Sequence, residues 1–504
     1  MRVGPTVDLE SLPDDNVALK GIVLDQAQWI QRLVAEVGRL RRHVFGQKSE
    51  RLPDGQQIFD WYGTVVEDPP PAPEKPQPAP ESGGKKGHGR RVIPADLPRQ
   101  TILHDLSEEE KNCGKCGKKM RPFDWEVSEQ LEVEPARMFV LSHVRPKYGC
   151  PDDDCKGTIR IAPPATSPID RGLAGPGLIA STIVDKFDDH LPCYRQSERW
   201  ARQGIEIARS TMGDWLHDSG EILGPIALAL KEDVLGSRVV HTDDTPVKVL
   251  VPGLGHAHQA YLWAYVGDQE HAAVFFQFTM TRQQEYPKGV LQDYEGFLQC
   301  DAYKGYDQLF VDPAKKRIEV GCNAHVRRRF FEAQEVDPKR ALLVIGWYRL
   351  LYAVEEEARE MTPGDRHRLR QEKSRPIMDR FKEWLEAEAP RVLPKGPMGQ
   401  AIGYARGLGR ALDRYLEDPA LSIDNNKVER ILRGPATGRK NWLHMGREGG
   451  GETAAIHFSI VESCKAAGVN PYLYLKDVLG RVSSHSAKRI LELTPRFWKP
   501  KDSS

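Results

Sequence analysis

The sequence predicts a multidomain α/β protein with its strands gathered in one stretch and helices on either side. Three observations predict it. The chain has 504 residues, too many for one ordinary core. From residue 238 the texture turns to short β-branched and aromatic runs ending at turn residues. Before and after that stretch, apolar residues recur at helical spacing.

The bulk numbers narrow the class. Lys and Arg total 72 and Asp and Glu total 72, so the formal net charge is zero. A neutral total leaves room for local basic faces, which is all that nucleic-acid binding needs. No run of 18 apolar residues occurs, so no membrane span is expected. The N-terminus carries Asp8, Glu10, Asp14 and Asp15 and no basic-then-apolar leader, which points to the cytoplasm. The eight cysteines then read as thiols or metal ligands.

Residues 1–60 read as an N-terminal coiled-coil helix, its helical part over 15–45. Val23, Ile30, Val37 and Val44 recur every seven residues, with Leu19, Gln26, Leu33 and Leu40 as the offset series. That seam suits self-association and a homo-oligomer. Residues 61–100 are a Pro-rich basic linker. Seven prolines fall between Pro69 and Pro80, followed by Lys85, Lys86, Arg90 and Arg91. Residues 101–168 hold Cys113, Cys116, Cys150 and Cys155, with Gly114 and Gly117 about the first pair. Four thiolates suit a structural, ribbon-like zinc site. The wider second spacing also fits unrelated core thiols. Residues 169–232 read as a helical DNA-binding region. Tyr194 to Ala201 is helical in pattern, Gln203-Gly204 breaks it, and Ala208 to Leu216 restarts it. This is the skeleton of a helix-turn-helix, with Arg195, Arg199, Arg202 and Arg209 able to reach phosphates. An ordinary helical hairpin has the same pattern.

Residues 233–334 carry five candidate strands, with a helix expected between the third and the fourth: Val239-Val240 onward, Ala260–Val266, Ala273–Phe278, Phe297–Cys300 and Ile318–Cys322. That order is the order of a ribonuclease-H-like sheet. In it Asp243 would close the first strand and Asp301 the fourth, on neighbouring strands, converging at about the size of one metal ion. Residues 335–420 form a helical insertion. Residues 421–470 return to the core and supply a third acid. There Asp424 or Asn425 can cap a helix that carries Glu429 one turn in. Lys427, Arg430, Arg433, Arg439, Lys440 and Arg447 surround it, so Glu429 is a lone carboxylate in a basic helix, as expected for a metal ligand facing a DNA backbone. Taken singly, each acid also fits a turn or a surface ion pair. Residues 471–504 are a C-terminal tail.

The ordered motifs resemble the insertion-sequence-66 family transposases of the DDE class over nearly the whole chain. They include His43–Arg51, Arg145–Tyr148, Leu191–Gln196, Asp243–Val247, Cys300–Tyr303, Cys322–Arg328, Asp424–Arg430, Gly438–Trp442 and the closing Phe497–Pro500. The resemblance implies an RNase-H-like fold with catalytic Asp243, Asp301 and Glu429 on two Mg²⁺ ions. It also implies a zinc-finger-like segment and a helix-turn-helix. The implied reaction is metal-dependent cleavage and strand transfer at terminal inverted repeats, into target DNA, in a bacterial cytoplasm with the protein on the nucleoid when bound to DNA. Element-encoded accessory proteins are possible partners. Cys322-x2-His325 looks like a short Cys-His signature of several DDE groups, and it adds His325 beside the metal site. Arg327 and Arg328 join the DNA-contact set with Arg430, Arg433, Arg439 and Lys440. Two positions depart from relatives: Asp244, where Glu is common, and Leu443 to Gly451, where an aromatic and a Ser are usual.

Overall fold

The computed structural model describes residues 15–45, 58–59, 65–66, 138–140, 147–148, 160–161, 167–169, 174–311, 316–446 and 448–500. The chain divides into two compact units, one of residues 1–71 and 166–504 and one of residues 72–165. In the first, helix α1 (Asn16–Phe45) precedes a two-residue antiparallel pair, β1 (Ile58–Phe59) with β2 (Val65–Val66). In the second, β3 (Lys147–Tyr148) pairs antiparallel with β4 (Arg160–Ile161). The four proposed zinc ligands, the Pro69–Pro80 run and the basic residues after it lie outside the described residues.

Three helices lead into the sheet: α2 (Pro176–Phe187), α3 (Cys193–Ala201) and α4 (Arg209–Leu235). The predicted break is there. Gly204 sits at φ +81°, a conformation open to glycine because it has no Cβ. The second helix is much longer than the pattern Ala208–Leu216 suggested. Beyond Leu216 it buries Leu223, Ile226, Leu230 and Val234, so packing carries it on.

The sheet has five strands: β5 (Val239–Leu250), β6 (Ala257–Val266), β7 (Val274–Thr279), β8 (Gly296–Cys300) and β9 (Arg317–Gly321), with α5 (Glu285–Leu291) between β7 and β8. Their order is β7-β6-β5-β8-β9. The β7–β6 and β6–β5 pairs are antiparallel; β5–β8 and β8–β9 are parallel. Short turns join the antiparallel strands. The parallel ones need a crossover, and α5 opens the first of these.

After the sheet come α6 (Asn323–Ala333), α7 (Pro338–Glu357), α8 (Pro363–Leu369), α9 (Arg375–Glu388), α10 (Pro397–Leu408) and α11 (Arg414–Glu417). A π-helical turn, Arg370–Ser374, joins α8 to α9. These helices share one core with the sheet. Phe330, Val344, Trp347, Phe381 and Ile402 pack in one cluster with Val239 of β5 and Val320 of β9. Rings at Phe330, Trp347, Phe381 and Trp384 meet at centroid distances of 5.8–6.5 Å. The insertion read at 335–420 is therefore continuous with the sheet's apolar core.

The chain closes with α12 (Asn426–Trp442), α13 (Glu448–Ala466) and α14 (Pro471–Arg481). Helix α13 covers the outer strand β7. Two serines one turn apart serve the backbone there: Phe276 N–H donates to Ser459 Oγ (2.8 Å) and Val274 N–H to Ser463 Oγ (2.9 Å). Ser463 Oγ also donates to Val274 O (3.0 Å). An edge strand leaves one row of peptide groups without a ladder partner, and these hydroxyls satisfy it in a dry interface.

On α1 the seam residues Val23, Ile30 and Val37 are 66%, 55% and 51% exposed and Leu33 is 43% exposed, Leu19 and Gln26 are half-buried, and the side chains of Leu40 and Val44 lie outside the described residues. No helix among the described residues is long and apolar enough to cross a membrane.

Replacing Ser463 by Ala should lower unfolding stability by about 1–3 kcal/mol, because two buried peptide groups lose their partner. The urea midpoint reads this, and an unchanged midpoint would show that the serine bridge is dispensable.

Candidate active site

The parallel pairing of β5 with β8 sets the first two acids. Val239 stands opposite Phe297, Val240 opposite Leu298 and His241 opposite Gln299. Two residues further along each chain come Asp243 and Asp301. A step of two along β5 puts Asp243 on the same face as His241, while Asp301 follows directly on β8. The strand does not end at Asp243, as the sequence reading had it. Strand β5 runs on to Leu250 because β6 pairs with it along that whole length. What ends at His241 is the pairing with β8, and Asp301 is the first residue beyond β8. Asp243 thus stands where the sheet parts. Buried side chains on both faces of β5 give way to alternation at that point.

Helix α12 brings the third acid. Asp424 caps it: Asn426 N–H donates to Asp424 Oδ1 (3.0 Å), and Tyr352 Oη of α7 donates to Asp424 Oδ2 (2.8 Å). Asn425 is fully buried and its side chain reaches β5 instead of capping. Its Nδ2 donates to Thr242 O (2.9 Å), and its Oδ1 lies 3.0 Å from His241 Nδ1. Burial holds His241 well below the usual range, at about 4, so the ring is neutral and Nδ1–H is the donor. Gln299 of β8 donates to Ser422 O (2.7 Å) and Asp424 O (3.0 Å). The residues before Glu429 are therefore bonded to both acid-bearing strands, and Glu429 follows in the first turn of α12.

Electrostatics mark the cluster. Burial pushes the Asp243 carboxyl up to about 8; the charge of Asp301 adds to this, as do Asp244 and Glu429, against one bond from Asp244 N–H (2.8 Å). The Arg282 guanidinium goes to the neighbouring Asp244, with Nε and Nη2 at 2.8 and 2.7 Å from Oδ1. Arg282 also lies over the Tyr303 ring at 4.0 Å. Asp301 and Glu429 thus add negative charge at Asp243, oxygen donors of the kind that suit hard divalent cations, although the three acids do not all come within 4.8 Å of one another.

His325, the third residue of α6, lies beside Glu429, Nδ1 to Oε1 3.9 Å. Cys322, at the N-terminus of α6, completes a group with them whose ligand atoms lie within 4.8 Å of one another. Burial pushes the Cys322 thiol up to about 12, although backbone N–H groups of Asn425 and His325 point at the sulfur.

The basic residues divide. Asn426, Arg430, Arg433, Thr437 and Lys440 form one exposed stripe on α12. Arg195, Arg202, Arg209 and Arg328 are exposed and Arg327 is half-buried. Arg199 is engaged with both oxygens of Asp185, and Arg439 with Thr245 Oγ1 (3.1 Å) and Pro246 O. Those two side chains hold the fold together where they stand. Sequence reasoning missed the roles of Asn425, Tyr352 and Arg282. Each acts through a partner far along the chain, and no local pattern marks it.

Comparison with known proteins agrees along the chain. A family model described as "Transposase IS66 family" matches residues 171–453. One described as "zinc-finger binding domain of transposase IS66" matches 110–152, a span with Cys113, Cys116 and Cys150 but not Cys155. "IS66 C-terminal element" matches 459–496 and "Transposase C of IS166 homeodomain" matches 32–102. Two proteins of Sinorhizobium fredii, named uncharacterized proteins y4jD and y4qI, are 30% and 31% identical to the chain, each over 97% of it and 98% of their own length. A third from that organism, uncharacterized protein y4hP, is 29% identical over 93% of this chain and 89% of its own.

A carboxyl raised from 3.8 to about 8 binds its proton more tightly folded than unfolded. Its contribution to stability is full below about pH 4, falls as pH climbs, and is gone above about pH 8. Without divalent ions, the melting temperature should therefore decline between pH 5 and 8.5, and Asp243→Asn should flatten that slope. Equal slopes for the two proteins would contradict the assigned burial and repulsion.

Proposed function

Because the chain belongs to the IS66 family of transposases, we propose that it cuts and joins DNA at the ends of an insertion sequence through Asp243, Asp301 and Glu429. The observation that carries this reading is the cluster itself. The charges of Asp301, just after β8, and of Glu429, on α12, both reach the Asp243 carboxyl on β5 although the three are far apart in the chain. The strand order, three antiparallel strands followed by two parallel ones, supports an RNase-H-like core. In such a core the acids stand at the open end of the central strands.

Asp243, Asp301 and Glu429 would hold two Mg²⁺ ions. Bound there, the ions would supply Lewis acidity to the attack on the phosphodiester and to the departure of its leaving oxygen. The chain's own part is positioning. Asn425 and Gln299 fix the start of α12 against β5 and β8, which keeps the backbone that carries Glu429 beside the two acid-bearing strands. The exposed stripe of Arg430, Arg433 and Lys440 on the same helix would take the phosphates flanking the cut. Arg195, Arg202, Arg209, Arg327 and Arg328 would take further phosphates. The zinc-finger match supports a structural zinc on the cysteine segment, and the exposed Val23, Ile30, Leu33 and Val37 of α1 support self-association through a coiled coil.

Asp243→Ala, Asp301→Ala and Glu429→Ala should each lower cleavage of duplex carrying the element ends by ~10³-fold or more while gel-shift affinity persists. Replacing Arg430 and Arg433 together by Ala should weaken binding to all sequences and reduce the salt slope of log affinity by about 2. Cleavage at the normal rate by any of the three acid variants would remove this site assignment.

A further inference from the structure

We propose that Cys322 Sγ, His325 Nδ1 and the Glu429 carboxylate form a separate site for a borderline divalent ion such as zinc, sharing Glu429 with the acid cluster. The three ligand atoms lie within 4.8 Å of one another and come from two helices that the fold locks together. Bond lengths of about 2.0–2.3 Å to zinc place tetrahedral ligands roughly 3.5 Å apart. The His325 Nδ1 to Glu429 Oε1 distance of 3.9 Å is already close to that, and the partly exposed Glu429 side chain has room to adjust.

Each donor has a feature that suits it to an ion. His325 Nδ1 is buried and has no hydrogen-bond partner, a costly state that a metal bond would relieve. Cys322 Sγ accepts the Asn425 backbone N–H at 3.2 Å, with a further one from His325. N–H groups aimed at sulfur stabilise a metal-bound thiolate and fix its direction. The thiol proton goes to solvent when the ion binds. Sulfur and imidazole also separate this site from the all-oxygen cluster. Hard Mg²⁺ prefers the carboxylates, whereas zinc takes S and N donors. Three protein ligands leave a fourth position open to water or a phosphate oxygen.

Sharing Glu429 has a consequence. An ion held by Cys322 and His325 draws that carboxylate away from Asp243 and Asp301, so soft and hard ions compete. The competition rests on the function proposed above; the site itself does not. The test is zinc content of the full chain after equilibrium dialysis, measured by elemental analysis. Cys322→Ser, which keeps an acceptor for both N–H groups, should hold one zinc per chain fewer than wild type. His325→Gln, at a position partly open to solvent, should do the same and decides the matter if the serine variant does not fold. Wild-type zinc content in a folded variant overturns the proposal. In parallel, Mn²⁺ bound to the wild-type chain, read by electron paramagnetic resonance, should be displaced by zinc, with Cys322→Ser resisting displacement. Displacement that is equal in the two proteins overturns the sharing. A chain that binds no Mn²⁺ refutes the acid-cluster reading, while the zinc count still decides this one.

Discussion

The buried amide of Asn425 is the constraint on which the site rests. It stands one residue before α12, yet its side chain belongs to β5, with bonds to Thr242 O and His241. The chain travels through six helices between β9 and α12 before it returns. Closing so long an excursion onto one geometry costs entropy, and packing plus a few directional bonds must offset it. Asn425 gives the returning segment a single register. Its own N–H faces Cys322 Sγ, and Asn323 beside that cysteine donates to Ile423 O (3.1 Å). A one-residue slip would leave several buried polar groups unpaired at once, and a low-dielectric interior penalises that heavily.

The intervening helices share in this register. Tyr352 of α7 holds Asp424, and Tyr348 one turn earlier donates to Asn323 Oδ1 (3.1 Å). Arg370, at the π-helical turn, is almost wholly buried. It binds both oxygens of Glu355 and the carbonyls of Tyr415, Asp418 and Leu421. That guanidinium gathers α11 and the turns leading to Asp424 and ties them to α7. The helices between the second and third acids thus work as a jig for the last one, which is a stronger role than filling space beside the sheet.

Much of this was legible in the sequence, for identifiable reasons. The five strands announced themselves through β-branched and aromatic runs, and Asp301 through its place directly after one of them. The α3 break showed as Gly204. Strand length was misjudged at Asp243 because acids and a proline follow it, and such residues read as a turn. They are tolerated there because β6 supplies the ladder while β8 has already ended. The length of α4 was hidden by Pro225 and by glycines, and only its burial against other helices sustains it. Arginines were the least legible group. Sequence gives charge but not direction, so Arg199 and Arg439, turned inward to Asp185 and Thr245, looked the same as Arg430 and Arg433.

The serine bridge from α13 to β7 has an architectural consequence. Ser459 and Ser463 occupy peptide groups that a foreign strand would otherwise recruit. At the opposite border of the sheet, Arg414 occupies the Glu319 carbonyl. Neither flank offers a continuous template for β-augmentation. A strand added at either flank would first have to displace these side chains from the backbone groups they hold.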